Sequence, residues 1–348
     1  MCFKQRRENG ISHSIHRALT IEPDCEGKHQ HGCTENVLYF FLIWELRLVR
    51  ISSQLFRNLR DEVWKIDEAA YSASFRYDKK YGGLVPMGDL GYSGSTFFRT
   101  ADSKYLVKSL PRKAEHDFFK EELLSPYCEY MSANPDSLLV HITDFLGTSS
   151  PTLGTLFGWS PSHHVIMENV LCDRDEASEL DKWETYDLKP VDYFYPERDL
   201  VPEPLTSRTV MSRLYDEFKD KVRITKSQFQ YLRERCDRDS DLLKHSNTVD
   251  YSLFLVRYPS GLEPSMPIQT ASEWRKGVMS ADGRWIYRAV LLDFFWAKHK
   301  LPAQALTGVV QTFNVVGRKG PMSITTTASE YKEKFMQMVD GLVELHGD

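Results

Sequence analysis

The sequence predicts an α+β fold in which antiparallel β-strands alternate with amphipathic helices. Residues 89–108 contain a Gly- and Ser-rich turn, an alternating run, a second turn and a returning strand, which is the pattern of a β-hairpin. Strand-like apolar runs recur at 163–171, 249–255 and 285–296, whereas apolar residues repeat at helical spacing within 225–244. Because the first strand pair is a hairpin, its sheet is expected to be antiparallel.

Composition limits the kinds of partner that this chain can have. Hydrophobic residues make up 41% and aromatic residues 12% of its 348 residues, which is typical of a soluble globular protein. The net charge of −5 leaves no overall basic field, so we expect no nucleic-acid partner. Six scattered cysteines without a CxxC pair favour reduced thiols and a cytoplasmic setting. The length allows one large bilobal domain or two small ones.

The N-terminal fifty residues show few structural signals. Residues 1–50 are predicted to form an N-terminal extension, disordered or peripheral over 1–35. Its histidines and cysteines lack the paired spacing of structural zinc sites. The most apolar stretch, residues 37–49, is too short for a membrane span and contains Glu45 and Arg47, so a packing helix is expected there.

The hairpin at 89–108 has the features of a phosphate-binding loop. Backbone N–H groups in a turn without bulky side chains, here between Gly91 and Gly94, can approach a polyphosphate closely. Lys108 lies on the returning strand, within reach of the charged phosphate oxygens. The same spacing occurs in ordinary hairpins, so the pattern leaves a nucleotide loop and a purely structural turn both open.

Two aspartates lie at the ends of strand-like runs. Asp250 precedes the apolar residues of 249–255, and Asp293 ends the buried run 285–296. A carboxylate at the end of a buried strand costs desolvation energy unless it is paired or binds a cation. From the residues alone, Asp293 is therefore either a salt-bridged core acid or a metal ligand. A lone acid such as Asp250 is most often a turn former or a cap.

The motifs of this chain resemble those of the phosphatidylinositol phosphate kinase family, in the order in which that family has them. The resemblance runs from about residue 55 to the C-terminus. It is carried by LFRNLR, GYSGSTFFRTADSKYLVKSL, NPDSLL, HHVIMENVL, YDLKP, VDYSLFL and WIYRAVLLDFFW. It implies a bilobal, protein-kinase-like fold shared by phosphatidylinositol phosphate kinases and SAICAR synthase. The lobes would be residues 51–165 and 166–348, with an acidic insertion near 173–205.

The resemblance implies roles for individual residues in binding ATP and Mg²⁺. Lys108 would hold the α- and β-phosphates, and Glu115 on the next helix would orient it, with Asp117 and Glu121 as competing acids. Asp250 would act on the attacking hydroxyl, and Asp293 would bind Mg²⁺. The implied nucleotide-binding residues are Gly91, Ser93, Gly94, Ser95, Lys108, Met167, Glu168 and Asn169.

The resemblance also implies a phosphoinositide substrate and transient contact with a membrane surface. The candidate substrate residues are Lys189, Lys298, Lys300, Arg318 and Lys319. YDLKP departs from the family pattern, because Pro190-Val191 replaces the Gly-Ser of its DLKGS motif.

Three functions follow as hypotheses. The first is a lipid kinase that transfers the ATP γ-phosphate to an inositol hydroxyl. The second is a pseudokinase or phosphoinositide-binding regulator that retains nucleotide binding, and the third is another ATP enzyme on the SAICAR-synthase-like fold. The sequence does not specify the oligomeric state.

Overall fold

A computed structural model describes residues 3–20, 40–76, 83–88, 95–174, 183–190, 218–262, 271–297 and 327–346. The α-helices are α1 (Phe3–Thr20), α2 (Ser53–Asn58), α3 (Glu68–Ser74), α4 (Lys113–Phe118), α5 (Leu124–Ala133), α6 (Leu153–Leu156), α7 (Lys226–His245), α8 (Glu273–Lys276) and α9 (Ala328–Leu342). The strands are β1 (Leu48–Arg50), β2 (Val85–Gly88), β3 (Phe97–Arg99), β4 (Tyr105–Leu110), β5 (Ile142–Thr148), β6 (His163–Glu168), β7 (Glu184–Leu188), β8 (Val222–Ile224), β9 (Thr248–Val249), β10 (Ser252–Pro259), β11 (Val278–Met279), β12 (Trp285–Leu292), β13 (Trp296–Ala297) and β14 (Val343–Leu345). Single π-helical turns follow α2 at Leu59–Val63 and α4 at Phe119–Leu123.

The chain divides into two compact units that do not follow sequence order. The first unit comprises Met1–His116 and His141–Cys172, and the second comprises Asp117–Val140 and Asp173–Asp348. This division differs from the predicted lobes 51–165 and 166–348. The residues that precede His141 join the second unit because the carboxylate of Asp239 accepts hydrogen bonds from their backbone and side chains.

The first unit is built on a six-stranded antiparallel sheet with the order β1-β5-β6-β4-β3-β2. The predicted hairpin is confirmed as β3 and β4, with Phe97 paired to Lys108. Strand β4 continues to Leu110, two residues beyond the predicted end, because β6 pairs with it along that whole length. Its apolar face joins a buried cluster that includes Phe98 and Val107.

Helix α1 corrects the expectation that residues 1–35 are disordered or peripheral. Ile11, Ile15 and Leu19 are buried in the core cluster of the first unit. They recur at intervals of four, so they form one apolar stripe along the helix. The chain from its third to its twentieth residue is therefore part of the folded unit.

The region 37–49 also differs from its prediction. From residue 40 onward it contains no helix of packing length and ends in strand β1, which pairs with β5. Leu46 and Leu48 are buried, whereas Val49 is exposed. This alternation has the period of a strand, so the apolar residues here belong to the sheet and not to a helix.

Gly10 allows α1 to lie directly against the backbone that precedes β1. A Cβ atom at this position would lie 2.6 Å from Trp44 Cβ and 2.9 Å from the Trp44 carbonyl oxygen. We expect Gly10→Ala to lower the free energy of unfolding by about 1–3 kcal/mol, because overpacking outweighs the better helix propensity of alanine. Urea denaturation measures this change.

Gly341 is the matched control, because it lies near the end of α9 with no atom within 4 Å of its hypothetical Cβ. Gly341→Ala is expected to raise the free energy of unfolding by up to about 1 kcal/mol. Equal stabilisation of both variants would contradict close packing of α1.

In the helical region after β4, the α-helical hydrogen-bonding pattern is interrupted before Pro126. The π-helical turn Phe119–Leu123 separates α4 from α5, and Pro126 lies in the first turn of α5. Proline is tolerated there because the first N–H groups of a helix have no intrahelical partner. The change of hydrogen-bonding pattern therefore precedes the proline.

The second unit contains a four-stranded antiparallel sheet with the order β11-β12-β10-β7. The predicted strand runs around 249–255 and 285–296 are confirmed as β10 and β12, which pair along eight residues from Ser252↔Leu292 to Pro259↔Trp285. The predicted helix within 225–244 is confirmed as α7, and both α7 and α9 begin with a capping box. Within the described ranges, no helix is long and apolar enough to span a membrane.

Candidate active site

Asp250 and Asp293 lie at the same end of neighbouring strands in the second unit. Asp250 separates β9 from β10, and Asp293 follows β12 directly. The strands pair on both sides of the aspartates, at Ser252↔Leu292 and at Val249↔Trp296. Two residues on one strand and three on the other lie between these pairs, so the ladder opens where the two carboxylates are.

Both aspartates have left-handed backbone conformations. The φ angle is 66° at Asp250 and 63° at Asp293. Residues other than glycine seldom adopt such angles, although aspartate and asparagine tolerate them better than most. Unfavourable backbone angles that persist in a folded protein are concentrated at functional sites, so this coincidence supports a functional role for both residues.

Lys189 holds Asp250 in place. It directly follows β7, and its ammonium group donates to the Asp250 backbone oxygen at 2.8 Å and to Oδ1 at 2.9 Å. Burial disfavours its charge, but the carboxylates of Asp250, Asp187 and Asp293 outweigh burial and raise the pKa of Lys189. The lysine therefore stays protonated among the three acids. The replacement of Gly-Ser by Pro190-Val191 does not prevent this ion pair.

The third acid, Asp187, was missed by the sequence interpretation. It lies on β7, whose neighbour in the sheet is β10, the strand that begins at Ser252. Burial raises the pKa of Asp187, the charge of Lys189 opposes that rise, and the charges of Asp293 and Asp250 add to it. Asp187 is the aspartate of the YDLKP motif, so the resemblance of that motif to the family pattern could have identified it.

The donors in this cluster fit a magnesium ion that is held mainly by nucleotide phosphates. Mg²⁺ prefers oxygen ligands, and in phosphoryl-transfer sites it binds one or two carboxylates together with phosphate oxygens and waters. Asp293, with Asp187 interacting beside it, supplies such carboxylates. Among the described residues, no group of three or more His, Cys, Asp or Glu side chains forms a complete metal site.

Lys108 lies on β4 in the first unit, between the paired residues Phe97 and Val165. Its side chain is buried, and its ammonium nitrogen lies 5.6 Å from the centre of the Phe97 ring. The Lys108 side chain is thus shielded from bulk water. Joint action of Lys108 with Asp250 and Asp293 on one nucleotide stays a prediction.

Of the three candidate acids near α4, Glu115 is buried, Asp117 is half-buried and Glu121 is exposed. Arg112 Nη1 donates to Glu115 Oε1 at 3.1 Å, and the Arg112 backbone N–H lies 3.4 Å from Oε2. A glutamate that returns to the backbone before its own helix is a helix cap. Glu115 therefore has a structural partner, and its pairing with Lys108 stays a prediction.

The predicted adenine-binding residues lie at the end of β6 and directly after it. The backbone N–H groups of two of them already donate hydrogen bonds within the protein. The backbone N–H of Glu168 donates to the His141 oxygen, and that of Asn169 donates to the Lys104 oxygen. The Asn169 side chain bonds the Ser103 oxygen, which fixes it to the β3–β4 turn. Adenine recognition through these two N–H groups is thus not supported. A role for Met167 and the remaining groups of this segment stays a prediction.

Several predicted site residues lie outside the described part of the chain. They are Gly91, Ser93, Gly94, Lys298, Lys300, Arg318 and Lys319. Ser95, the last residue of the predicted phosphate loop, is described and buried. The neighbouring Thr96 is fixed by Ser109, whose Oγ accepts the Thr96 N–H at 2.7 Å. The end of the loop is thus anchored to the strand that carries Lys108.

The second unit supplies carboxylates and a lysine at paired strand ends, and the first unit supplies a lysine on a hairpin; phosphotransferases use residues of both types. The model of the phosphatidylinositol-4-phosphate 5-kinase family matches residues 81–276, more than half of the sequence, so the chain belongs to that family. The matched span includes Lys108, Asp187, Lys189 and Asp250, and Asp293 lies beyond its end.

Similar proteins carry names from the same family. The chain is 28% identical over 233 residues to phosphatidylinositol 4-phosphate 5-kinase 7 of Arabidopsis thaliana, which covers 66% of this chain. It is 27% identical over 212 residues to a probable phosphatidylinositol phosphate kinase of Dictyostelium discoideum and 27% identical over 218 residues to a phosphatidylinositol 4-phosphate 5-kinase of Plasmodium falciparum, each alignment covering 59% of this chain. The chain spans only 28%, 27% and 12% of the lengths of these three relatives.

Proposed function

We propose that this chain is a phosphatidylinositol phosphate kinase, which transfers the γ-phosphate of ATP to an inositol hydroxyl of a phosphoinositide lipid. The observation that carries this proposal is the cluster of Asp187, Lys189, Asp250 and Asp293 at one end of the sheet in the second unit. Phosphoryl transfer requires little more than positioned charges, and this cluster supplies them.

Asp250 acts on the attacking hydroxyl in this proposal. Lys189 bonds Oδ1 and the backbone oxygen of Asp250, and Oδ2 would accept the proton of an inositol hydroxyl. The fixed ammonium group holds the carboxylate in one orientation, which lowers the entropic cost of reaching the reactive geometry. Its positive charge also favours an anionic substrate close to Asp250.

Asp293, with Asp187 beside it, would hold Mg²⁺. When bound, this ion neutralises charge on the transferring phosphates. The charge of Lys189 opposes the rise in the pKa of Asp187 that burial causes. Lys108 would bind the α- and β-phosphates, and Glu115 would orient it. The two units would then be the lobes of a protein-kinase-like fold.

The names of the relatives suggest which lipid to test first. Several of them are named phosphatidylinositol 4-phosphate 5-kinases. Phosphatidylinositol 4-phosphate is therefore the first proposed substrate and its 5-hydroxyl the first proposed acceptor. Lys298, Lys300, Arg318 and Lys319 remain proposed contacts to the anionic membrane surface that carries the lipid, where each basic residue contributes about 1 kcal/mol.

Transfer of radiolabelled phosphate from ATP to lipid vesicles tests the proposed function. The vesicles contain one phosphatidylinositol monophosphate at a time, and the variant Asp293→Asn is compared with the unchanged chain. We expect a labelled bisphosphate product whose formation falls by about 10³-fold in the variant, because a carboxylate that holds the metal is lost. Asparagine tolerates the left-handed backbone of residue 293, so the fold should be retained.

The outcomes distinguish the candidate functions. A lipid product that depends on Asp293 supports the kinase. Nucleotide binding without any lipid product would favour the pseudokinase or regulator instead. Phosphate transfer that is unaffected by Asp293→Asn would contradict the proposed site, even if the activity itself is present.

A further inference from the structure

Helix α1 makes hydrogen bonds at both ends of the β2–β3 hairpin, to the residue before β2 and to the residue before β3. Its hydrogen bonds with the rest of the first unit are spread along the helix and include bonds at Arg7, Ser12 and His16. Arg7 Nη2 donates to Thr96 Oγ1 at 3.2 Å, the Ser12 hydroxyl accepts the Leu84 N–H at 3.1 Å, and His16 Nδ1 lies 2.8 Å from the Phe75 oxygen. The N-terminal part of the helix therefore lies at the loop end of the hairpin.

Thr96 is the point at which the chain leaves the predicted phosphate loop and enters β3. Its backbone is fixed to Ser109 on β4 by two hydrogen bonds, with the Thr96 N–H and oxygen as partners. Its side chain is buried, and the hydroxyl accepts the bond from Arg7. A continuous chain of hydrogen bonds thus runs from Arg7 through Thr96 to Ser109, which directly follows Lys108.

Arg7 bridges two segments at once. While Nη2 donates to Thr96, Nε donates to the backbone oxygen of Trp159 at 3.1 Å. Trp159 belongs to the turn after α6, so the guanidinium group ties the loop end to a separate part of the first unit. A planar group with several fixed donors can make both bonds, whereas a lysine ammonium on the same helix provides a single point of contact.

We propose that Arg7 is a positioning residue for Thr96 and, through Ser109, for the strand that carries Lys108, and that α1 is thereby a component of nucleotide binding. The helix lies outside residues 81–276, the span of the family match. It is docked by its apolar stripe of Ile11, Ile15 and Leu19, and Arg7 converts this docking into a fixed position of Thr96. The consequence for nucleotide affinity rests on the proposed function, whereas the fixation of Thr96 does not.

The first experiment measures steady-state kinetics of Arg7→Ala and of Arg7→Lys. We expect the KM for Mg·ATP to rise about tenfold in Arg7→Ala, because a hydrogen bond from a charged group is lost. The kcat and the KM for lipid should change less than about twofold, because the carboxylates of the second unit are unchanged. Arg7→Lys should restore only part of the ATP affinity.

The matched control is Arg6→Ala, which removes the same charge from the next residue of the helix. Arg6 is exposed, so the KM for ATP should not change. Full recovery in Arg7→Lys, or an equal effect of Arg6→Ala, would show that charge and not geometry matters, which would overturn the proposal.

The second experiment measures amide hydrogen exchange and needs no catalytic activity. Protection of residues 95–99 should fall in Arg7→Ala and stay unchanged in Arg6→Ala. Gly10→Ala, which loosens the whole helix, should lower protection in β2 as well as in β3. Absence of nucleotide binding by the unchanged chain would count against the proposed function alone. Unchanged protection in Arg7→Ala would refute the positioning role by itself.

Discussion

Asp250→Asn is expected to lower phosphate transfer to a phosphoinositide by about 10²- to 10⁴-fold, the usual loss when a general base is removed. The amide oxygen of asparagine can still accept the bond from Lys189, and asparagine tolerates the left-handed φ of 66° at this position. The fold should therefore survive while the proton acceptor is lost. The rate with saturating ATP and lipid, together with a thermal melt, measures both effects.

Asp340→Asn is the control for this substitution. Asp340 lies on α9 and pairs with Arg233 on the surface, where both side chains are largely exposed. It should have almost no effect on transfer, since an exposed pair contributes little and lies outside the cluster. Retention of transfer within tenfold of the original rate in Asp250→Asn would rule out a role for Asp250 as proton acceptor.

Lys189→Met is expected to abolish transfer and also to destabilise the fold at neutral pH. The Lys189 and Asp250 side chains are only 12% and 15% exposed, so the substitution leaves three interacting carboxylates without their counter-charge. Removal of one partner of a buried ion pair costs about 3–5 kcal/mol. We expect about 3 kcal/mol at pH 8, measured by urea denaturation.

This loss should depend on pH with a definite sign. Burial and the charges of Asp293 and Asp250 raise the pKa of Asp187, and without the opposing charge of Lys189 this pKa rises further above its value in the unfolded chain. A folded state that binds protons more tightly loses stability as pH rises, so the penalty should shrink when the pH falls from 8 towards 5. An equal penalty at both pH values would indicate lost packing and not lost charge.

Arg233→Met is the matched control, since it also removes one cation from an ion pair with an aspartate. The Arg233–Asp340 pair is 49% and 41% exposed, so water screens its charges. The expected cost is below about 1 kcal/mol, with little dependence on pH.

The positions of Asp250 and Asp293 could be predicted because each follows a local rule. Alternating apolar residues mark a strand of period two, and an acid at the boundary of such a run has to lie at a strand end. The same reasoning located the β3–β4 hairpin and helix α7. The stripe of Ile11, Ile15 and Leu19 was equally visible at helical spacing, so the structure of α1 was predictable but overlooked.

Asp187 shows the limit of such rules. Its local sequence lies within a stretch that contains eleven Asp and Glu against four Lys and Arg over residues 173–203, which by composition indicates a solvated surface. Only the pairing of β7 with β10 places this one acid next to Ser252 and within the field of Lys189. Pairing between distant strands depends on contacts that no local pattern encodes.

Short-range regularities in the chain thus sufficed to identify the β3–β4 hairpin, strands β10 and β12, helix α7 and two of the acids, because periodicity acts over a few residues. The assembly of Asp187, Lys189, Asp250 and Asp293 from three separate segments required the folded sheet. So did the contact between Arg7 and Thr96, which are 89 residues apart. The charge interactions of the four-residue cluster depend on distances in space, and the register of the paired strands sets those distances.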